Sequence, residues 1–291
     1  MEQPNILILG GSGMMGHQFY KVSGQHFPTY ATFRRFSNKL EPYFQRDTIV
    51  EGVVAENFDS VIQAFTKVRP QVVVNCIGVV KQQGASKDPI ACLNINSLFP
   101  HRLAKLCQSS GARLIHLSTD CVFSGQRGNY CEDDYPDAMD LYGRSKLLGE
   151  VFEPGCLTLR TSIIGRELNS CQGLIEWFLS NEGKTVSGYQ KAIYTGLTTN
   201  ALSELIIDVI RKFPELHGVW QVASQPISKF DLLTLVRDIY QANIRINPDD
   251  QFYCDRSLTC EKFHQATGWV APSWPDMIRA MHNASKRKNV A

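Results

Sequence analysis

The first sixteen residues restrict the fold more than any other stretch. Asn5-Ile-Leu-Ile-Leu9 is a short, nearly continuous apolar run, the pattern of a strand covered on both faces of a parallel sheet. It passes directly into Gly10-Gly-Ser-Gly-Met-Met-Gly16, and a helix-compatible segment follows to Val22. Gly10, Gly13 and Gly16 recur at intervals of three. Glycines so placed permit a tight turn, let the backbone approach a pyrophosphate and let the helix pack closely on the strand. The helix N-terminus then faces the phosphates, with Met14 and Met15 supplying amides of its first turn. A glycine-rich turn without a ligand can carry the same letters. The strand before it and the helix after it are the context a dinucleotide-binding turn requires.

The second strand is expected at Pro28–Phe33 and ends in Arg34-Arg35. A carboxylate near this point would hold a ribose 2′-hydroxyl, whereas arginines suit a 2′-phosphate, so the pair favours NADPH over NADH. Val53-Val54 reads as a third, short strand, and Asp59–Lys67 as a helix. Gln71–Cys76 is the next buried strand; Asn75 at its end and Gly78 just beyond it are expected near the nicotinamide ribose. Pro89–Cys107 has helical spacing and carries Asn94 and Asn96, residues that inside helices are usually solvated or locally bonded. Arg113–Leu117 is a further strand, with His116 inside it as a core histidine. It brings Ser118-Thr119-Asp120 to its carboxyl end, the edge where open parallel sheets bind ligands.

Chemistry is expected at Tyr142-Gly-Arg-Ser-Lys146. Tyr142 and Lys146 are four residues apart and share a helix face, one turn above the other. A phenol with a pKa near ~10 is a poor acid or base at neutral pH. An ammonium within ~4–6 Å favours the phenolate and can lower that value by ~1–3 units. The helix is expected to end near Gly149-Glu150. The polar stretch from Gly125 to Asp140, with its acidic run Glu132–Asp134, reads as a loop over the active site.

Past Gly165 the alternation loosens and long polar loops are expected. Helices are read at Leu174–Leu179 and Thr199–Phe213, and a strand at Val219–Val222 that could return to the main sheet. Ser228–Asp231 is a capping box opening a helix to Tyr240, and Pro275 opens a final one. The expected architecture is therefore α/β. It is a Rossmann-type doubly wound parallel sheet, residues 1–160, with a smaller interleaved C-terminal substrate domain, residues 161–291.

Composition limits the remaining classes. With 291 residues, 43% hydrophobic and 20% charged, the chain can bury a large core. A formal charge of +2 with scattered Lys and Arg argues against nucleic acid as partner. Nine cysteines, several within apolar runs and none in a Cys-x-x-Cys, suit buried thiols in a reducing compartment. Met1–Pro4 shows no charged leader and no apolar run is long enough to span a bilayer. The expectation is a cytoplasmic protein with no membrane partner.

These residues resemble the extended short-chain dehydrogenase/reductase family, in particular its dTDP-4-dehydrorhamnose reductase branch. Four pieces carry the resemblance: Gly10–Gly16, Ser118-Thr-Asp-Cys-Val-Phe123, Tyr142–Lys146 with Gly149-Glu150, and Leu159-Arg-Thr161. It implies NADPH-dependent reduction of the C4 ketone of a nucleotide-linked 4-keto-6-deoxysugar. Aligning Val122-Phe123 with the branch puts the hydroxyl role on Thr119, with Ser118 in reserve. Tyr142 would be the proton donor, and Lys146 its partner and a ligand of the nicotinamide ribose. Cys121 departs from the branch, which often has tyrosine there. Arg166, Trp177, Tyr194 and Arg256, with Lys184 and Thr195, are candidates for the nucleotide sugar, because a diphosphate needs cations and sugars stack on aromatics. No metal-ligand set is seen, and a homodimer stays open. Competing readings are a reductase of a UDP-linked 2-acetamido-2,6-dideoxy-4-keto hexose, an epimerase or dehydratase that retains NAD, and a non-catalytic NADP-binding regulatory subunit.

Overall fold

A computed structural model describes residues 3–80, 84–168 and 171–286; Met1 and Glu2 lie outside the described residues. The chain forms two compact units. The first comprises residues 1–118, 140–159 and 203–220, and the second residues 119–139, 160–202 and 221–291.

Strands β1 (Ile6–Leu9), β2 (Thr29–Phe33), β3 (Ile49–Glu51), β4 (Val72–Asn75), β5 (Arg113–Thr119) and β6 (Cys156–Thr161) come first in the chain. With the later β10 (Gly218–Gln221) they make a seven-stranded sheet in the order β10-β6-β5-β4-β1-β2-β3. The registered pairs β1–β2, β1–β4, β2–β3 and β4–β5 are all parallel. Order reverses at β1, whose neighbours are β2 and β4; in open α/β sheets that switch point is where a ligand crevice forms. Every residue of β1 is fully buried, which explains its unbroken apolar letters. Helices α1 (Met14–Ser23), α2 (Phe58–Val68), α3 (Pro89–Cys92), α4 (Phe99–Ser110) and α5 (Leu141–Leu147) connect the strands. Leu7, Leu9, Val73 and Leu114 pack with Val61, Phe65, Phe99, Leu103 and Cys107 in one core cluster. Each such aliphatic side chain contributes about 1.5–3 kcal/mol on burial.

Two expectations for this unit need correction. The third strand is Ile49–Glu51, not Val53-Val54: Ile49 and Val50 register against Ala31 and Thr32, and Gly52 at φ +82 ends the strand. The long helix from Pro89 is interrupted by a π-helical turn, Leu93–Leu98. Pro100 has no N–H to give the carbonyl of Asn96 four residues earlier, so regular α-helical bonding cannot pass through this point.

The second unit holds β7 (Ile163–Ile164), α6 (Leu174–Leu179), β8 (Thr185–Tyr194), β9 (Leu197–Thr198), β11 (Ile227–Ser228), α8 (Lys229–Tyr240), β12 (Arg245–Asp255), α9 (Glu261–Thr267) and α10 (Trp274–Lys286). Helix α7 (Thr199–Lys212) lies between β9 and β10 in the chain. Where long polar loops were expected, β8 and β12 pair in parallel within a three-stranded sheet, β11-β8-β12. Their exposed positions are mostly polar, with Tyr189, Phe252 and Tyr253 as exceptions, and that polarity gave them the look of loops. Ser228 Oγ accepts from the Asp231 amide at 3.0 Å, the cap that starts α8. The edge strand at Gly218–Gln221 does join the main sheet. All nine cysteines are free thiols.

Candidate functional site

In the first unit, the turn after β1 is closed by its own backbone and by β2. Gly10 N donates to Thr32 Oγ1 at 3.1 Å, Gly11 N to the Thr32 carbonyl at 2.9 Å, and Gly13 N to the Gly10 carbonyl at 3.1 Å. Gly10 sits at φ +87, and a Cβ on Gly16 would fall 2.1 Å from the Gly10 oxygen, so glycine is required at both. The resulting cradle leads into α1, whose N-cap, Gly13, has no side-chain cap and whose first turn holds no acidic residue. The amides of Met14, Met15 and Gly16 are the ones a helix leaves without an internal carbonyl, which suits a diphosphate. These residues fit a dinucleotide. The Met15 side chain is itself in the core, so its contribution to such a ligand is its backbone. Arg34 and Arg35 are exposed immediately past the end of β2.

The end of β4 is tied inward. The Asn75 carboxamide is buried, Nδ2 lies 3.1 Å from His116 Nδ1, and Oδ1 accepts from the Ile77 amide at 3.1 Å. His116 is fully buried, and burial first, then the Lys146 charge, pushes its pKa well below the usual imidazole range. Gly78 lies beside Asn96, whose Oδ1 a Cβ there would meet at 3.4 Å. Asn96 overturns the expectation of a solvated helix asparagine. It is buried, accepts from Val79 N at 2.8 Å, and donates to Val79 O at 3.0 Å and to Ser145 Oγ at 3.1 Å. Ser145 Oγ in turn donates to the Tyr142 carbonyl at 2.9 Å, and Ser97 Oγ donates to the Ser145 carbonyl at 2.8 Å. The π turn, the loop after β4 and the helix of Tyr142 are thus one bonded assembly. Periodicity gives Asn96 no special role, and Ser145, although inside the Tyr142–Lys146 stretch, is assigned none by the sequence.

Helix α5 is capped by Asp140, whose Oδ1 accepts from the Gly143 amide at 2.7 Å, and ends at Leu147, short of Gly149-Glu150. Tyr142 is half-buried. Lys146, one turn on, is 5% exposed and its Nζ donates to the Leu117 carbonyl at 2.6 Å. Burial lowers its pKa from 10.5 to about 8, with Glu150 and Cys76 opposing the shift. Burial likewise lifts the Cys76 thiol to about 12. Ser118 Oγ donates to Glu150 Oε1 at 2.7 Å, so the reserve hydroxyl is already engaged.

In the second unit, Thr119 Oγ1 donates to Asp120 Oδ1 at 3.0 Å and accepts from the Cys121 amide at 3.1 Å. The loop beyond is stitched to residues 255–259: Tyr130 N donates to Ser257 O at 2.8 Å, Thr259 N to Tyr130 O at 2.8 Å, and Asn129 N to Ser257 Oγ at 2.7 Å. Arg256 donates to the Phe123 carbonyl at 2.9 Å. Arg166 forms an ion pair with Glu176, and Trp177 on the same helix is 40% exposed. Tyr194 is buried against Trp274, ring centroids 5.7 Å apart, and burial raises its phenol pKa. Thr195 is also buried, its Oγ1 accepting from Leu258 N at 3.0 Å, whereas Lys184 is exposed.

A parallel sheet with a glycine turn at its switch point, and a Tyr-x-x-x-Lys helix after β5, define the extended short-chain dehydrogenase/reductase class. The model of the RmlD substrate binding domain family matches residues 4–286, and the chain belongs to that family. Among curated relatives, methionine adenosyltransferase 2 subunit beta of Danio rerio is 29% identical over 171 residues, 57% of this chain and 50% of that protein. The dTDP-4-dehydrorhamnose reductase of Streptomyces griseus is 30% identical over 149 residues, 51% of this chain and 44% of that one. The chain thus spans about half the length of these relatives. Among solved structures, dTDP-4-dehydrorhamnose reductase from Bacillus anthracis in complex with NADP superposes with a TM-score of 0.78 at 20% identity, covering 98% of this chain and 100% of that one. Among the described residues, no helix is long and apolar enough to cross a membrane.

Proposed function

We propose that this protein is an NADPH-dependent reductase of the C4 ketone of a nucleotide-diphospho-4-keto-6-deoxysugar, serving deoxysugar and surface-polysaccharide synthesis in the cytoplasm. The observation that carries the reading is the buried Lys146 ammonium held one helical turn from Tyr142, in the unit that also contains the glycine cradle. Membership of the RmlD family and the likeness to a dTDP-4-dehydrorhamnose reductase of Streptomyces griseus support it.

In this reading the amides of Met14, Met15 and Gly16 hold the pyrophosphate, and Arg34 with Arg35 holds the 2′-phosphate. Gly78 gives the nicotinamide ribose room, and Asn75 shapes that pocket from within the sheet. When bound, NADPH supplies hydride to C4. Tyr142 gives its proton to the oxygen that becomes the alcohol, and Thr119 holds that oxygen by its hydroxyl. The Lys146 charge favours the phenolate left behind and holds the ribose hydroxyls. The nucleotide is assigned to the second unit, with Arg166 and Arg256 as cations and the Trp177 ring as platform. Tyr194 acts there as a buried wall.

The test follows NADPH consumption with a panel of dTDP- and UDP-linked 4-keto sugars, including 2-acetamido-2,6-dideoxy forms, with NADH in parallel. Oxidation with a dTDP-linked 4-keto-6-deoxysugar is expected. The second reading, an NADP-binding regulatory subunit, is favoured by the similarity to methionine adenosyltransferase 2 subunit beta. NADPH binding without turnover on any sugar would select it.

A further inference from the structure

Glu150 has no role in the reductase reading, yet it is buried, 6% exposed, and its charge acts on the buried Lys146, opposing the fall of the lysine pKa. Taking two charges out of water costs several kcal/mol per ion unless the groups are paired and hydrogen-bonded. Here the bonding runs from two successive residues of β5. The Leu117 carbonyl accepts from Lys146 Nζ at 2.6 Å, and Ser118 Oγ donates to Glu150 Oε1 at 2.7 Å. The chain reaches this point through Gly149, where a Cβ would lie 1.8 Å from the Asn96 carbonyl oxygen. Only glycine lets the backbone pass so near the π turn and bring Glu150 back toward the strand.

The groups whose charge bears on Lys146 come from three elements. Glu150 follows α5, Cys76 follows β4, and His116 lies in β5. Tyr142 stands one turn earlier on the helix. Cys76 is kept a neutral thiol and His116 a neutral imidazole, both by burial. Among these groups Glu150 is the carboxylate.

We propose that Glu150 and Ser118 are a positioning pair for Lys146, Glu150 supplying the buried counter-charge against which the ammonium is held and Ser118 fixing that carboxylate. The inference deepens the reductase reading and rests on it for its catalytic consequence. Ser118 is thereby a support of the lysine and not a substrate-binding hydroxyl.

Two readouts test the pair. The first needs no turnover: the rate at which Lys146 is reductively methylated by formaldehyde and cyanoborohydride, followed against pH by peptide mass spectrometry. The wild type should show an inflection near 8. Glu150→Gln should lower it by about one unit or more, as loss of a near opposite charge does. Glu150→Asp should restore part of the shift, and Ser118→Ala should move it less than Glu150→Gln. The second readout is the pH profile of kcat, whose alkaline limb should move down in the same order while KM for NADPH changes less. A Glu150→Gln inflection equal to the wild type overturns the proposal. If that variant does not fold, Ser118→Ala decides: loss of the bond to Glu150 should lower the inflection by a smaller amount, and an inflection equal to the wild type overturns the pair. A shifted labelling curve with no sugar reduced by the wild type keeps the pair and removes the reductase reading. Reduction by the wild type with an unshifted variant does the reverse.

Discussion

Asn96 holds the backbone of Val79 from both sides of its carboxamide, accepting from the amide at 2.8 Å and donating to the carbonyl at 3.0 Å. The same Nδ2 reaches Ser145 Oγ, so one side chain joins the loop after β4 to the helix of Tyr142 and Lys146. Asn96→Ala should destabilise the protein by about 2–5 kcal/mol, because each buried polar group left unpaired costs about 1–3 kcal/mol. Asn96→Asp keeps the acceptor but turns a carboxylate oxygen on the Val79 carbonyl in a buried place, and should cost at least as much. Denaturant unfolding checks this; an alanine variant as stable as the wild type would show the clasp to be idle.

Glycine is required at Gly16 and merely convenient at Gly13. A Cβ at Gly16 would fall 2.1 Å from the Gly10 oxygen, whereas at Gly13 it would make ordinary contact with that oxygen at 3.4 Å. Gly16→Ala should abolish NADPH binding and lower Tm, while Gly13→Ala should fold normally and lose affinity only in part. Fluorescence titration beside thermal melts separates the two, and equal losses at both positions would count against the cradle.

Tyr142→Phe should lose about 10²–10⁴-fold in kcat, the range that general acid catalysis supplies, and still bind NADPH. Steady-state kinetics with the reactive sugar give the comparison. Near-full activity would remove Tyr142 as the proton donor.

Arg34→Asp should weaken NADPH far more than NADH, since a 2′-phosphate would then meet a carboxylate in place of a cation. Dissociation constants for both cofactors read this directly. A matched loss would mean that Arg34 is only a solvated surface residue.

His116 predicts an acid limb in stability. Its folded pKa lies well below 6.5, the unfolded value, so the unfolded chain takes up a proton first as pH falls. The stability from a neutral His116 is complete above 6.5 and is lost as pH drops from there toward the folded value. Melting temperatures at pH 7 and pH 5 should therefore differ less in His116→Gln than in the wild type. An unchanged difference would place the limb on other groups.

What could be read along the chain was what local pattern encodes. The apolar run before Gly10 and the glycine spacing required β1, a tight turn and α1, and these stand where expected. Ser228 with Asp231 marked the start of α8 to the residue. Strand β3 was misplaced by a few residues because Ile49-Val50 and Val53-Val54 have equal local merit, and only pairing with β2 chooses between them. Strands β8 and β12 were missed because their exposed positions are mostly polar and each finds its ladder partner about sixty residues away in the other.

By itself the sequence determined the glycine cradle, the arginines after β2 and the shared helix face of Tyr142 and Lys146, because each depends on spacing within a few residues. Tertiary structure decided everything that depends on partners distant in the chain. Lys146 meets Leu117 across 29 residues, Ser118 meets Glu150 across 32, and Asn96 meets Ser145 across 49. It also buried Tyr194 and the Met15 side chain, and brought the Lys146 pKa to about 8. Burial and charge pairing are sums over neighbours in space, and no window along the chain contains those neighbours.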